Sequence, residues 1–145
     1  MKKILFVLSL LICLNSYASR NDSLVLKKLD SISVMLDTLC VDEPLYVMAQ
    51  AAYESGWFAC KNCSWQYNNM FGFKGANGKY LRFKKWQDCV FYYAAWQKKR
   101  YPLYKERNPE GTYLEFLRWS HYNTGNEYAK SIQWMCDWLI NHWHK

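Results

Sequence analysis

Residues 42–57 of the chain read DEPLYVMAQAAYESGW. A proline is favoured just inside the start of a helix, and the acids beside it suit the positive end of the helix dipole. The segment from Leu45 to Glu54 is rich in Ala, Met, Leu and Gln, which are strong helix formers. Ser55-Gly56 then favours a helix end, because glycine readily adopts the left-handed conformation found there. We therefore predict a buried helix over residues 45–54.

Four further helices are predicted on either side of this segment, from apolar residues at helical spacing and from capping residues. The first follows Asn21-Asp22-Ser23 and has Leu29, Ile32, Met35, Leu36 and Leu39 on its apolar side. The next covers residues 87–97, with Val90, Phe91, Ala94 and Ala95 on its apolar side. Thr112 caps a short helix over residues 113–119, and the last helix covers residues 127–141 and buries Ala129, Ile132, Met135, Cys136 and Leu139.

Residues 58–85 lack a sustained hydrophobic period and contain two turn signals. These are Asn68-Asn69 and Ala76-Asn77-Gly78-Lys79, of which the second suits a hairpin. We expect short strands at 70–74 and 79–83 on either side of it. The fold class that follows is mainly α (α+β), a helical domain with a small irregular β-hairpin lobe inserted in its middle.

Composition sets the outer limits of this interpretation. The chain has 145 residues, of which 51% are hydrophobic and 19% aromatic, so it can build the core of a single domain and is not disordered. Six glycines and three prolines exclude a collagen-like or linker-rich protein. No run reaches the roughly 18 apolar residues of a membrane span, so we expect no integral membrane segment.

The N-terminus has the pattern of a secretory signal peptide. Lys2 and Lys3 precede the apolar run from Ile4 to Leu14, and Ser16-Tyr17-Ala18 offers small residues at the positions that a signal peptidase reads. We predict cleavage after Ala18, so that residues 1–18 are the signal peptide and residues 19–145 form one domain. Lipidation is rejected because Ile12, which is not small, precedes Cys13. The expected location is secreted or periplasmic.

Five cysteines remain after residue 18, and an oxidising compartment favours at least one disulfide. We predict that Cys60 and Cys63 are oxidised, either with each other or with Cys40, Cys89 or Cys136. A zinc site beginning at the same pair is disfavoured, since no second ligand pair follows at suitable spacing. We therefore expect no metal and no cofactor.

The positive charge is concentrated in the middle of the chain. The formal net charge is +7, or +5 without the first 18 residues, and residues 61–107 contain eleven basic residues against Asp88 and Glu106. A cationic surface favours a polyanionic partner. For an exported protein, anionic cell-wall polymer or a membrane surface fits better than nucleic acid, which we do not expect. The alternative is a solvated basic face that only aids solubility.

Glu54 lies where a carboxylate is disfavoured, in the last turn of its predicted helix. The helix dipole is negative there, and the neighbours Tyr53, Trp57 and Phe58 are aromatic. Desolvation and the dipole would both raise the pKa of this carboxyl group. A carboxylic acid that stays protonated near neutral pH can serve as the general acid of glycosidic bond cleavage. The alternative is an ordinary exposed glutamate tolerated at a helix end.

Four segments, in order, resemble the motifs of the bacterial glucosaminidases of glycoside hydrolase family 73. Ala49-Gln50-Ala51-Ala52-Tyr53-Glu54-Ser55-Gly56-Trp57 is similar to their A-Q-A-A-x-E-S-G-W signature, and Asn68-Asn69-Met70-Phe71-Gly72-Phe73-Lys74-Gly75 to N-N-x-F-G-x-K-G. Residues 80–86 resemble an aromatic-basic region, and Tyr122-Asn123-Thr124 with Tyr128-Ala129-Lys130 resembles a closing element. The resemblance covers residues 45–139.

This resemblance implies a peptidoglycan hydrolase of lysozyme-like fold, related to autolysins and flagellar muramidases, with the glycan strand of peptidoglycan as its partner. Such enzymes cleave the β-1,4 bond after N-acetylglucosamine. The matching residues would be catalytic at Glu54, the general acid, and at Tyr122. Those that would bind substrate are Asn69, Phe71, Trp57, Tyr128 and Gln50. Trp57 is a weaker candidate than Tyr122, because it is expected to pack under the helix end.

One departure concerns the second acid that many members carry shortly before the aromatic-basic region. Residues 75–82 read GANGKYLR and contain no carboxylate, and we expect the nearby Asp88 to cap the next helix. Two routes stay open. The substrate's own 2-acetamido group could be the nucleophile, or Glu106, Glu110 or Glu115 could be brought in by folding.

Two other functions stay open beside the hydrolase. The missing acid would suit a weakly active or non-catalytic glycan-binding relative, and the small, basic chain would suit a secreted antibacterial effector of the same fold. The sequence contains no signal for oligomerisation, so we expect a monomer.

Overall fold

A computed structural model describes residues 23–143 of the chain. They contain five α-helices: α1 (23–38), α2 (Pro44–Glu54), α3 (Trp86–Arg107), α4 (Tyr113–Trp119) and α5 (Asn126–His142). A 3₁₀ helix (Ser64–Tyr67) lies between α2 and α3. The fold is mainly α, as the sequence predicts. The predicted signal peptide and the Asn21-Asp22 cap lie outside the described residues.

Helix α2 is the buried centre of the domain, as predicted. Six consecutive residues, 47–52, are buried, and α5 packs along the helix. Pro44 occupies the first turn after Glu43, whose backbone is left-handed. At the other end Ser55 stops the helix: its hydroxyl donates to Ala51 O at 2.6 Å and accepts from Phe58 N at 2.9 Å. The sharp stop leaves Glu54 as the last helical residue, beside a turn.

Helices α1 and α5 supply most of the remaining aliphatic core, as their periodicity predicts. Leu29, Ile32 and Leu36 of α1 are fully buried, and so are Ile132 and Leu139 of α5. In α4 the predicted cap is confirmed: Thr112 Oγ1 accepts from Glu115 N, and the Glu115 carboxylate accepts from Thr112 N at 2.7 Å.

Helix α3 differs from its prediction in length and in buried face. It runs ten residues beyond Gln97 and through Pro102, because Tyr101 and Tyr104 pack their rings on Phe116 of α4, at 4.9 and 5.7 Å between centroids. The predicted Phe91 is 51% exposed and Ala95 is also exposed. The face that is buried consists of Cys89, Val90, Tyr93, Gln97, Tyr101 and Tyr104. Polar side chains with buried hydrogen-bond partners therefore decide this face, and hydrophobicity alone does not predict it.

The lobe between α2 and α3 contains the predicted turn but not the predicted strands. Gly75 N donates to Lys79 O and Leu81 N to Phe73 O, both at 2.9 Å, and the pairing reduces to one antiparallel bridge between Lys74 and Tyr80. Asn69 explains why the strands do not lengthen. Its amide nitrogen donates to Phe73 O at 2.8 Å and to Leu81 O at 3.0 Å, which replaces part of a strand ladder.

A disulfide joins Cys60 to Cys63, just after α2, and Cys40, Cys89 and Cys136 are free. The predicted oxidation of the Cys60–Cys63 pair is confirmed, with the two residues bonded to each other. Among residues 23–143, no helix combines the length and the apolar character that crossing a membrane requires.

Candidate active site

A cleft of about 410 Å³ lies between the helical body and the lobe, at the end of α2. Its wall brings together residues from four parts of the chain. They are Glu54, then Phe71, Gly72, Phe73, Lys74 and Tyr80 of the lobe, Trp96 of α3, and Ser120, His121, Tyr122 and Asn123 between α4 and α5. We call this space the Glu54 cleft. Five of the eleven wall residues are aromatic, a residue type that suits the apolar faces of sugar rings.

The Glu54 carboxyl group is held in a partly dehydrated position. Burial raises its pKa from 4.5 to about 7, against the opposing effects of a hydrogen bond from Tyr128 and of the positive charge of Lys74. At neutral pH about half of the molecules would therefore hold the proton. A carboxyl group in this state can give up its proton and take it back near pH 7, which a general acid and base requires.

Gly72 forms the surface against which the carboxylate rests. A β-carbon at this position would lie 2.8 Å from Glu54 Oε2, which is closer than such contacts allow. Its φ of +67° is also a conformation that favours glycine. The backbone therefore favours glycine here, and any side chain would displace the Glu54 carboxylate.

A buried chain of hydrogen bonds begins behind Glu54. Its first two members are Tyr128 and Gln50. The Tyr128 hydroxyl accepts from Gln50 Nε2 at 3.2 Å and donates to the Glu54 carboxylate. Tyr93 donates its hydroxyl proton to Gln50 Oε1 at 2.5 Å. With the Gln50 amide in this orientation its nitrogen faces Tyr128, so the Tyr128 proton is left for Glu54.

The chain continues from Tyr93 through the core to the start of α2. The Tyr93 and Tyr113 hydroxyls are hydrogen-bonded to each other, and Gln97 Nε2 donates to Tyr113 at 2.9 Å. Gln97 also bonds the backbone of Asp42 twice, through Nε2 to Asp42 O at 2.8 Å and from Asp42 N at 2.9 Å. The chain therefore connects the start of α2 to the Glu54 site through buried hydrogen bonds.

Tyr122 lies in the wall of the Glu54 cleft, beside Glu54. Its ring packs edge-on against Phe73 at 5.7 Å, and its hydroxyl donates to Phe71 O. The hydroxyl therefore holds the lobe against the body, and the ring faces the cleft. Phe71 also lines the cleft, although its side chain is buried.

The other predicted residues lie elsewhere. Gln50 and Tyr128 stand behind Glu54, and Asn69 is fully buried at the base of the lobe turn. Trp57 packs against Trp138 of α5 at 4.8 Å and is not part of the cleft wall. These positions suit residues that hold the site in shape, and their predicted roles in substrate binding stay predictions.

Eight residues of the wall were not among the candidate site residues: Gly72, Phe73, Lys74, Tyr80, Trp96, Ser120, His121 and Asn123. Gly72 and Lys74 lie inside the quoted motif of residues 68–75, so their position could have identified them. Nothing in the local pattern distinguishes Trp96 or His121, which reach the cleft only through the packing of α3 and α4.

Glu54 is the one carboxylate in the cleft wall, as far as residues 23–143 are concerned. Glu110 and Glu115 line a separate pocket, and Glu106 is exposed on α3, so folding does not bring any of them to the cleft. Asp88 does not line the cleft either. Its carboxylate accepts from Lys85 N and caps the start of α3, as expected. Within the same residues, no group of three or more His, Cys, Asp or Glu side chains could hold a metal ion.

Residues 40–139 match the family model of the glucosaminidases, whose description is mannosyl-glycoprotein endo-beta-N-acetylglucosaminidase. Comparisons with curated proteins and with solved structures found no match. The matched segment includes the whole wall of the Glu54 cleft and more than half of the chain. This chain therefore belongs to the glucosaminidase family, as its four motifs predict.

Proposed function

We propose that this protein is an exported peptidoglycan hydrolase, an endo-β-N-acetylglucosaminidase that uses Glu54 as its general acid. The observation that carries the proposal is the position of Glu54, a partly buried carboxyl group in the wall of an aromatic cleft. Burial holds its pKa near 7. Membership of the glucosaminidase family supports hydrolysis of a glycosidic bond as the reaction.

The absence of a second carboxylate from the described cleft wall favours a substrate-assisted route. The carbonyl oxygen of the substrate's 2-acetamido group attacks the anomeric carbon. Glu54 gives its proton to the glycosidic oxygen, and the bond between that oxygen and the anomeric carbon breaks. Water then attacks the resulting oxazolinium ion and loses a proton to the Glu54 carboxylate, which restores the acid. Two inversions at one carbon give retained configuration.

Export is part of the proposal and has two supports. The first is the charged, apolar and small-residue pattern of residues 1–18. The second is the disulfide between Cys60 and Cys63, which is typical of proteins that mature in an oxidising compartment.

A glycan-binding protein without turnover is the second candidate. It is favoured because residues 23–143 supply no second carboxylate to the cleft wall. Zymography on purified sacculi separates the two, with wild type and Glu54→Gln compared. The hydrolase proposal expects clearing by wild type and at least a hundredfold weaker clearing by Glu54→Gln. If neither protein clears the gel and both sediment with sacculi, the protein is a binder. Equal clearing by both would exclude Glu54 as the acid.

A further inference from the structure

The part of the lobe that follows Phe73 is strongly cationic. Residues 74–85 contain five basic residues and no acidic one. Three of these cations, Lys74, Lys79 and Arg82, lie on the lobe turn and are exposed. Within the described part of the chain, no carboxylate forms a salt bridge with any of the three. Lys79 and Arg82 are therefore available to an anionic ligand, whereas the charge of Lys74 also acts on Glu54.

Aromatic rings hold two of these cations in place. The Lys74 ammonium lies 5.3 Å from the centroid of the Tyr80 ring, and the Arg82 guanidinium lies 4.1 Å from that of Tyr67. Such contacts attract the cation to the ring face and restrict a side chain that would otherwise be mobile. The cations can then bind an anion with a smaller loss of conformational entropy.

These residues line a cavity of about 830 Å³ under the lobe turn. Lys74 and Tyr80 belong both to this cavity and to the Glu54 cleft. The two spaces are therefore neighbours that share a wall. A group bound under the lobe turn would therefore lie close to the glycosidic bond that Glu54 faces.

We propose that Lys74, Lys79 and Arg82 form a subsite for the carboxylates of the peptide stems that peptidoglycan carries on alternate sugars. The inference rests on the proposed function and adds to it the recognition of the peptide. A stem is the anionic group that is covalently attached next to the scissile bond. A separate phosphate polymer or lipid headgroup has no such attachment, so the shared wall with the Glu54 cleft favours the stem.

The test measures binding, in the Glu54→Gln background so that the sacculi stay intact. The ligand is sacculi treated with hydrofluoric acid, which removes phosphodiester-linked polymers, either as such or after carbodiimide coupling of a neutral amine to their carboxylates. The subsite variant is Lys79→Gln/Arg82→Gln. The matched control is Lys98→Gln/Lys99→Gln, which removes the same charge from exposed positions of α3.

We expect the subsite variant to bind acid-treated sacculi about tenfold more weakly than its parent, and the control to bind within twofold of the parent. With neutralised carboxylates, parent and subsite variant should bind equally and weakly. Equal losses in the subsite variant and the control would overturn the proposal, because they indicate an unspecific effect of charge. Undiminished binding to neutralised sacculi would also overturn it. The proposal would also be overturned if the subsite variant bound more weakly than its parent only on sacculi that had not been treated with acid. Phosphate would then be the ligand.

The proposed hydrolysis is tested separately, by the release of reducing ends from untreated sacculi by the wild-type protein. Absence of release with the expected binding pattern would contradict the hydrolase and support the subsite. Release of reducing ends without any difference between the subsite variant and the control would support the hydrolase and contradict the subsite.

Discussion

A β-carbon on Gly72 would lie 2.8 Å from Oε2 of Glu54. The lobe and the end of α2 therefore approach each other closely at the carboxylate itself. Since Phe71 O also accepts the Tyr122 hydroxyl proton, the same lobe segment is held from two sides. The position of the proposed acid thus depends on residues far apart in sequence.

Gly72→Ala should displace the Glu54 carboxylate and lower kcat on sacculi about a hundredfold, because small shifts of a catalytic group have large effects on rate. The variant should also lose about 1–2 kcal/mol of stability from the left-handed backbone. Gly78→Ala is the matched control: its φ is +74° but no atom lies within 4 Å of the added carbon. It should lose similar stability and far less kcat. Equal kcat in both variants would show that the contact with Glu54 is unimportant.

The rate should fall as pH rises through about 7. Glu54 must be protonated to act as the acid, and burial holds its pKa at about 7. Activity is therefore expected to be high on the acidic side and to decline with a single step above neutrality. Lys74→Met should move this step to higher pH, because the Lys74 charge lowers the pKa of Glu54. A profile of kcat/KM against pH that is flat from 6 to 8 would contradict this assignment.

The free energy of unfolding should depend on the ionisation of Glu54 in the same pH range. Its pKa is raised on folding, so the folded state binds the proton more tightly than the unfolded state, and stability is lost as pH rises from about 4.5 to 7. Glu54→Gln removes this loss. We expect its Tm to exceed that of wild type at pH 8 and to match it near pH 4. A difference in Tm that does not change with pH would argue against a buried Glu54 carboxyl group with a raised pKa.

Tyr93→Phe should disturb the Glu54 site although Tyr93 is absent from the cleft wall. The change leaves Gln50 Oε1 without its donor in the core, which costs about 1–3 kcal/mol. The Gln50 amide is then free to turn, and the Tyr128 proton is no longer reserved for Glu54. The step in the pH–rate profile should therefore move to higher pH. Tyr101→Phe, at another buried tyrosine of α3, serves as the control and should leave the profile in place.

Thiol reactivity should distinguish three classes of cysteine in the chain from residue 19 onward. Cys40 is exposed and should react at once with a thiol reagent in the native state. Cys89 and Cys136 are buried, and burial raises their pKa to about 11 and about 12, so they should react only after denaturation. Cys60 and Cys63 should react only after reduction. Five reactive thiols without reductant would contradict the disulfide.

The features that the sequence predicted correctly are local ones. The proline start and Ser-Gly end of α2, the Thr112 cap of α4 and the apolar spacing of α1 and α5 each depend on residues within a few positions of one another. Such signals survive folding where the hydrogen bonds that they depend on join only neighbouring residues. The position of Glu54 at a helix end was predicted in this way, and its role as the acid stays a prediction.

The features that were missed depend on contacts between distant segments. The ring contacts of Tyr101 and Tyr104 with Phe116 carry α3 past Pro102, and no local pattern contains them. The buried chain from Gln97 to Tyr128 joins α2, α3, α4 and α5, so its members look like ordinary polar and aromatic residues in sequence. The strands of the lobe were overpredicted because the Asn69 side chain takes the place of backbone pairing.

The most direct measurement of the proposed role of Glu54 compares two leaving groups in the Glu54→Gln variant. One substrate is the natural glycan, whose departing sugar needs a proton, and the other is a dinitrophenyl glycoside of an N-acetylglucosamine oligomer, whose leaving group does not. General acid catalysis contributes about 10²–10⁴ in rate. We therefore expect a loss in that range on the glycan and a burst of dinitrophenolate released within tenfold of the wild-type rate. Equal losses on both substrates, or no loss on either, would contradict Glu54 as the general acid.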